Sequence, residues 1–462
     1  MKGAISWSYS PYRPPFTLVG EPYICRVVPA KTAIHFEWLE EKAPYEIYLR
    51  ARGKENFSLV ATTDACAYTI TGLEEGREYE FYVRAGEKQS RVRLARCGEA
   101  EGRVVNYLHP EDDAYRFSGR FLCSPSLLRH PDGYLLASMD VYAAEHPQNL
   151  TIIFRSDDDG ESWYYLCELT PCFWGQLFLH KGDVYMLACS TEYGDLLIGK
   201  SPDGGKTFDP PVTLFHGSNG KKGNAGVHKN PQNLCRFNGR LYFTMEYGTW
   251  CNDEYGHAAM VASVPEDADL LAVENWSFTA PRRFDNFAPE LADLPSNTMT
   301  IEGTPVVGPD GSFFDVMRFG IQGKLHSKVL AYEIDKRDPE APLAYSHLID
   351  FPRANFSKFM IKYDERSGYY YTIASRYPSD NAPWLRCILS LMRSRDLRAF
   401  EVVTDLLDYT EGDVAHTGFQ YVCFEIEGEN IIYLCRTSMN GADDFHNSNY
   451  STFHRIANFR DL

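Results

Sequence analysis

No stretch of the 462-residue sequence holds the roughly 18 apolar residues that a membrane-spanning helix requires. The opening MKGAISWSYSPYRPPF also has no apolar core of signal-peptide length. The expectation is a cytoplasmic protein with no membrane partner. Clusters of Lys and Arg are missing too: 46 Lys+Arg against 63 Asp+Glu give a formal net charge of −17. Phosphate backbones demand a basic patch, so this balance argues against a nucleic-acid partner. The twelve cysteines are scattered, with no CxxC pair and no Cys/His metal spacing. Several sit in apolar runs, such as Cys123 in RFLCSPSLL and Cys435 in IIYLCRTS, which reads as buried reduced thiols rather than a disulfide framework. No phosphate loop, dinucleotide fingerprint or H-E-x-x-H motif occurs, so neither cofactor nor metal is expected. Long helical periodicity is also lacking, which removes α/β barrels and doubly wound sheets.

Aromatic residues are plentiful, at 14% of the chain. They suit pleated strands and sugar-stacking surfaces. Within residues 16–98, apolar and polar positions alternate at Ile34–Trp38, Tyr45–Leu49 and Tyr79–Val83, as in half-buried strands. Leu73 and Tyr79 stand six residues apart beside Gly72 and Gly76. That spacing resembles the tyrosine corner of fibronectin type III sandwiches, which implies such a domain over residues 1–100.

From residue 101 to 462 a looser repeat appears. A Gly-containing turn precedes an aromatic or aliphatic run at Asp132-Gly133, Lys181-Gly182, Asn238-Gly239, Asp310-Gly311, Ser367-Gly368 and Glu427-Gly428. Irregular spacing with variable loops fits four-stranded blades. Six hairpins predict an all-β, six-bladed β-propeller, with seven blades as the alternative.

Two octapeptides refine this reading. Ser156-Asp157-Asp158-Asp159-Gly160-Glu161-Ser162-Trp163 fits S-x-D-x-G-x-[ST]-W, and Ser201-Pro202-Asp203-Gly204-Gly205-Lys206-Thr207-Phe208 fits it with Phe for Trp. Ser394-Arg395-Asp396 opens a broken third copy. These resemble the Asp-boxes (BNR repeats) of the sialidase superfamily, a structural motif of the blade rim. The resemblance continues in Glu302, followed across a hairpin by Arg318, and in Tyr421, followed across another by Arg436. It implies that Tyr421 is the counterpart of the sialidase nucleophile and that Asp140, after the first hairpin, is that of the acid. Cys123-Ser124-Pro125 stands where the first arginine of the sialidase triad belongs, and Arg436 where a Glu belongs. That departure implies a substrate other than sialic acid.

The resemblance points to a glycan-active enzyme, a glycoside hydrolase acting from the chain end on a small, uronate-containing oligosaccharide. A uronate lyase and a non-catalytic carbohydrate-binding propeller remain the alternatives. The expected catalytic residues are Asp140, Glu302, Tyr421 and His228, because paired carboxylates and a histidine supply acid–base chemistry. The expected substrate-binding residues are Arg318, Arg436, His416, Glu246, Lys229, His446 and Trp174. Arginines suit a carboxylate, and the tryptophan a sugar face. Each has a plainer alternative as a turn, core or ion-pair residue.

Overall fold

The structure is a computed structural model that describes residues 21–462 except 145, 219–223, 230, 250–256, 285–287, 293, 295–298 and 321–326. Among the described residues it is all-β, with three short 3-10 turns and no α-helix.

The N-terminal part is a pair of packed sheets. One has the order Ile24–Ala30, Ala33–Trp38, Ala67–Thr71. The other has the order Ser58–Thr63, Tyr45–Ala51, Glu78–Ala85, Lys88–Gln89, with Arg93–Arg96 also paired to Glu78–Ala85. Alternation along the strands turns Ile34, Phe36, Trp38, Ile47, Phe81 and Val83 into one core. The Tyr79 hydroxyl accepts a hydrogen bond from the Glu74 backbone N–H at 3.0 Å, closing the corner.

Six sheets of four or five strands follow. Their innermost strands are Phe121–Arg129, Phe173–His180, Gly226–His228, Met299–Val307, Lys362–Asp364 and Gly418–Glu427. Continuous apolar clusters join the first sheet to the second, the second to the third, the third to the fourth and the fourth to the fifth. A further cluster joins the fifth, sixth and first, so the succession closes into a ring, as in a β-propeller. The last sheet is completed by Arg103–Tyr107, which pairs with Tyr450–Ile456 although it precedes the first sheet in sequence.

In the octapeptide turns, Asp158 Oδ1 accepts from Ser162 N at 2.9 Å and Asp203 Oδ1 from Thr207 N at 2.8 Å. Gly160 and Gly205 take φ of 92° and 96°, which a side chain would strain. The Trp163 ring meets Phe453 of the last sheet at 5.5 Å. Antiparallel order puts these turns, between third and fourth strands, at the end of the ring opposite the starts of the innermost strands.

The N-terminal sheets dock on this ring through polar bonds. Arg26 donates to the Val105 carbonyl at 2.8 Å, and Arg93 pairs with buried Asp112 at 2.7 Å. Tyr23 donates to Glu168 at 2.7 Å. Burial pushes the Glu168 carboxyl up to about 8, against the lowering effect of the Tyr23 bond. Between its ordinary 4.5 and about 8, the folded chain therefore holds a proton that the unfolded chain has lost. Stability declines as pH rises through that window. Replacing Glu168 with Gln is expected to flatten this decline, as read by denaturant midpoints at mildly acidic and mildly alkaline pH.

Candidate active site

The innermost strands carry an unusual repeat. Ser124, Trp174, Glu302 and Tyr421 all have positive φ, at 49°, 52°, 60° and 55°. Each lies at a register break, between Cys123 and Ser126, Phe173 and Gln176, Ile301 and Thr304, and Gln420 and Cys423. These are β-bulges, which re-aim a side chain out of its strand's alternation. A non-glycine residue held there costs about 1–3 kcal/mol, and persists only where neighbours enforce it.

The enforcing groups are buried and polar. Asp140 accepts from the Trp174 N–H at 2.8 Å, and Lys229 Nζ donates to the Trp174 carbonyl at 3.4 Å. Gln232 Nε2 donates to the Glu302 carbonyl at 3.3 Å, and Glu246 Oε1 accepts from the Gly303 N–H at 3.1 Å. Lys358 Nζ donates to the Val422 carbonyl at 3.2 Å. A Cβ on Gly303 would sit 2.1 Å from Asp315 Oδ1, so this bulge needs glycine next to Glu302.

At the centre, the Tyr421 hydroxyl donates to Glu302 Oε1 at 2.6 Å, and Arg318 Nη1 donates to Glu302 Oε2 at 2.7 Å. Burial raises the Glu302 carboxyl, but the Arg318 charge and the bonds from Tyr421 and Arg318 outweigh it and hold it below its usual range. Burial and the Glu302 charge push the Tyr421 phenol up, while the arginines oppose them. Tyr421 therefore keeps its proton, donated to an ionised carboxylate.

Three guanidinium groups surround this pair. Arg318 Nη1 is 3.5 Å from the Tyr421 hydroxyl, and Arg436 and Arg386 lie 5.0 and 5.6 Å from the centre of its ring. Arg386 bonds to Gln420 and to the Phe356 carbonyl. Burial brings Arg386 down to about 10, with Tyr421 opposing and the charges of Arg318 and Arg436 adding to the effect. Among the described residues, the buried Nε of each of the three has no hydrogen-bond partner. Uncompensated donors of this kind suit an incoming anion.

A second cluster adjoins. The His228 and Glu246 side chains meet at 2.6 Å, both buried. The His228 ring lies 4.2 Å from Trp174 and 4.8 Å from His257. His446 meets the Tyr142 hydroxyl at 2.9 Å, and Arg436 Nη2 donates to that hydroxyl at 2.9 Å. Burial, then Arg436 and Arg386, push the His446 imidazole well down, so it stays neutral. Asp315, beneath Gly303, is pushed well up by burial and by Glu246 and is protonated.

The structure thus gathers Glu302, Tyr421, Arg318, Arg436, His446, His228, Glu246 and Trp174. Three expected positions differ. Asp140 is wholly buried and spends its carboxylate on Thr151 at 2.5 Å and Trp174 N, which leaves it no face toward a substrate. His416 lies on the surface, paired with Asp413 at 2.9 Å. Lys229 supports the Trp174 bulge. Arg386, which the sequence reading does not name, adds a third arginine to Arg318 and Arg436. It lies in a loop, while the strand-end position of its own sheet holds Arg376, which is turned outward onto Asp405 at 2.7 Å.

No protein-family model matches the chain, and no curated protein matches it in sequence. Solved structures share its fold. An α-L-arabinanase from Penicillium chrysogenum, bound to arabinobiose, aligns with a TM-score of 0.50 at 16% identity, over 78% of this chain and 98% of its own. An α-L-arabinofuranosidase from Fusarium graminearum, bound to an iminosugar inhibitor, aligns with a TM-score of 0.51 at 14% identity, over 77% of this chain and 97% of its own. A protein of unknown function from Dyadobacter fermentans aligns with a TM-score of 0.50 at 11% identity, over 77% and 98%.

Proposed function

We propose that this chain is a glycoside hydrolase that releases a uronate-bearing sugar from the end of a small oligosaccharide. One observation carries the reading: two buried arginines, Arg386 and Arg436, and the partly buried Arg318 lie around a tyrosine whose hydroxyl is bonded to an ionised glutamate. The arginines bind the substrate carboxylate through charge-assisted bonds. The Tyr421 oxygen attacks the anomeric carbon while its proton passes to Glu302. The bond to the leaving oxygen breaks, and His228, oriented by Glu246, gives that oxygen its proton. Water then releases the sugar from Tyr421, giving its proton to His228, while Glu302 returns the proton to the phenol. The acid role expected of Asp140 passes to His228.

We further read the architecture as a fibronectin type III-like sandwich over 1–100 and a six-bladed sialidase-type propeller over 101–462. The Tyr79–Glu74 bond, the two octapeptide turns and the six successive sheets support this. The eleven described cysteines are free thiols, nine of them buried, in keeping with a reducing compartment such as the cytoplasm. The shared fold with two arabinose-glycan hydrolases supports a carbohydrate substrate.

The test is turnover of methyl and aryl glycosides of glucuronate, galacturonate and arabinose, and of uronate oligosaccharides of two to four units. Uronides are expected to react and arabinosides to be spared, and cleavage of none overturns the assignment. The His228–Glu246 pair beside the arginines favours a uronate lyase as the second reading, with His228 removing the proton α to the carboxylate. Ultraviolet absorbance of an unsaturated product identifies that outcome, because hydrolysis leaves no double bond.

A further inference from the structure

Five tryptophans fall among the described residues, and four are buried: Trp38 and Trp163 at 3%, Trp276 at 7% and Trp174 at 8% exposure. Trp384 is 55% exposed. Among the described residues, no aromatic or cationic side chain covers its ring. Indole has a large apolar surface and is among the side chains folding buries most, so leaving it open to water forgoes stabilisation. An open indole of this kind offers a contact face to a partner outside the chain.

Its place in the fold says which partner. Trp384 lies between the second and third strands of the fifth sheet, Tyr369–Arg376 and Ile388–Ser394. Antiparallel pairing brings that loop to the end of the ring where Glu302 and Tyr421 open their strands. The loop is fixed, not slack. Tyr377 N donates to the Arg353 carbonyl at 2.9 Å, and Arg353 returns a bond to the Pro378 carbonyl at 2.9 Å. Ala382 N donates to the Ser379 carbonyl at 3.0 Å and Leu385 N to the Ala382 carbonyl at 3.3 Å. Pro383 presets the backbone just before the indole. Two residues on, Arg386 turns inward and reaches the ring of Tyr421 at 5.6 Å. The Cα atoms of 384 and 386 are at most about 7 Å apart. The backbone that holds the open indole therefore adjoins the backbone that sends Arg386 into the cationic centre.

The two ends of this short segment have opposite chemistry. Arg386 is buried, charged and suited to a carboxylate. Trp384 is open and flat, and suited to the C–H face of a neutral pyranose, with its N–H able to meet a ring hydroxyl. We propose that Trp384 is the stacking platform for the sugar unit adjacent to the one held by Arg318, Arg386 and Arg436. The site then takes an oligosaccharide of at least two units: an anionic one at the arginines and a neighbour read by its apolar face. This rests on the glycan-directed reading of the site.

The experiment compares wild type, Trp384→Ala and Trp384→Phe on two probes, methyl glucuronide and a tetrasaccharide ended by glucuronate. The expected result is a 10- to 100-fold loss of kcat/KM for Trp384→Ala on the tetrasaccharide, carried by KM, with methyl glucuronide unchanged. Trp384→Phe is expected to keep most of the tetrasaccharide activity. Equal losses on both probes, or no loss on the tetrasaccharide, overturn the proposal. Should wild type cleave neither probe, the hydrolase reading fails separately, and intrinsic fluorescence decides about Trp384. Saturable quenching by the tetrasaccharide that Trp384→Ala abolishes supports the platform; absent quenching, or quenching that survives the substitution, overturns it.

Discussion

Replacing Tyr421 with Phe is expected to lower kcat on the best uronide by on the order of 10³-fold, with the chain still folded. The phenol oxygen is the one atom placed to attack while passing its proton directly to Glu302, 2.6 Å away. Phe keeps the ring near Arg386 and Arg436 but removes that oxygen. Glu302 keeps its bond to Arg318, so the change in stability is that of one hydrogen bond, about 1 kcal/mol. Burst-phase and steady-state kinetics, together with a thermal melt, check both halves. Undiminished turnover removes Tyr421 from the chemistry, whatever the melt shows.

Arg318→Met is expected to have the largest effect on stability. Glu302 is 4% exposed, and Arg318 supplies its nearest positive charge. Removing one partner of a buried ion pair typically costs about 3–5 kcal/mol, because the other charge is left uncompensated. The sign with pH follows from the direction of the shift. In the native pair the Glu302 carboxyl is depressed, so its contribution is present above the unfolded value and lost as pH falls through the folded one. Without Arg318, burial dominates, the carboxyl rises, and stability instead declines as pH rises. Denaturant unfolding across pH reads this inversion. The double variant with Glu302→Gln is expected to recover much of the loss, and a cycle of the four proteins isolates the pair. Purely additive losses would show that the two side chains do not interact.

Much of the fold and part of the centre were legible in the sequence. The hairpin repeat and the two octapeptides mark the ring because its turns need glycine and a short acceptor at fixed places. Glu302, Tyr421, Arg318, Arg436, His228 and Glu246 stand out as polar groups at the ends of apolar strands. Asp140 bears the same mark, and pattern alone cannot separate a carboxylate that faces a ligand from one that holds a neighbouring backbone N–H. The four bulges left no trace, since none of the left-handed residues is glycine and their φ is imposed by other sheets. Arg386 was missed for a related reason. It enters from a loop, and the strand-end arginine of its sheet, Arg376, has gone to an outer ion pair.

The pairing of Arg103–Tyr107 with Tyr450–Ile456 bears on biosynthesis. The ring cannot close before Tyr450–Ile456 has been made, and the core of the N-terminal sheets itself takes in Tyr107 and Tyr450. Until Tyr450–Ile456 emerges, Arg103–Tyr107 has no strand to lie against, and the first sheet lacks the apolar surface of the sixth. A nascent or truncated chain thus presents open strand edges and uncovered apolar faces for most of its synthesis, the state in which edge-to-edge association and chaperone capture occur.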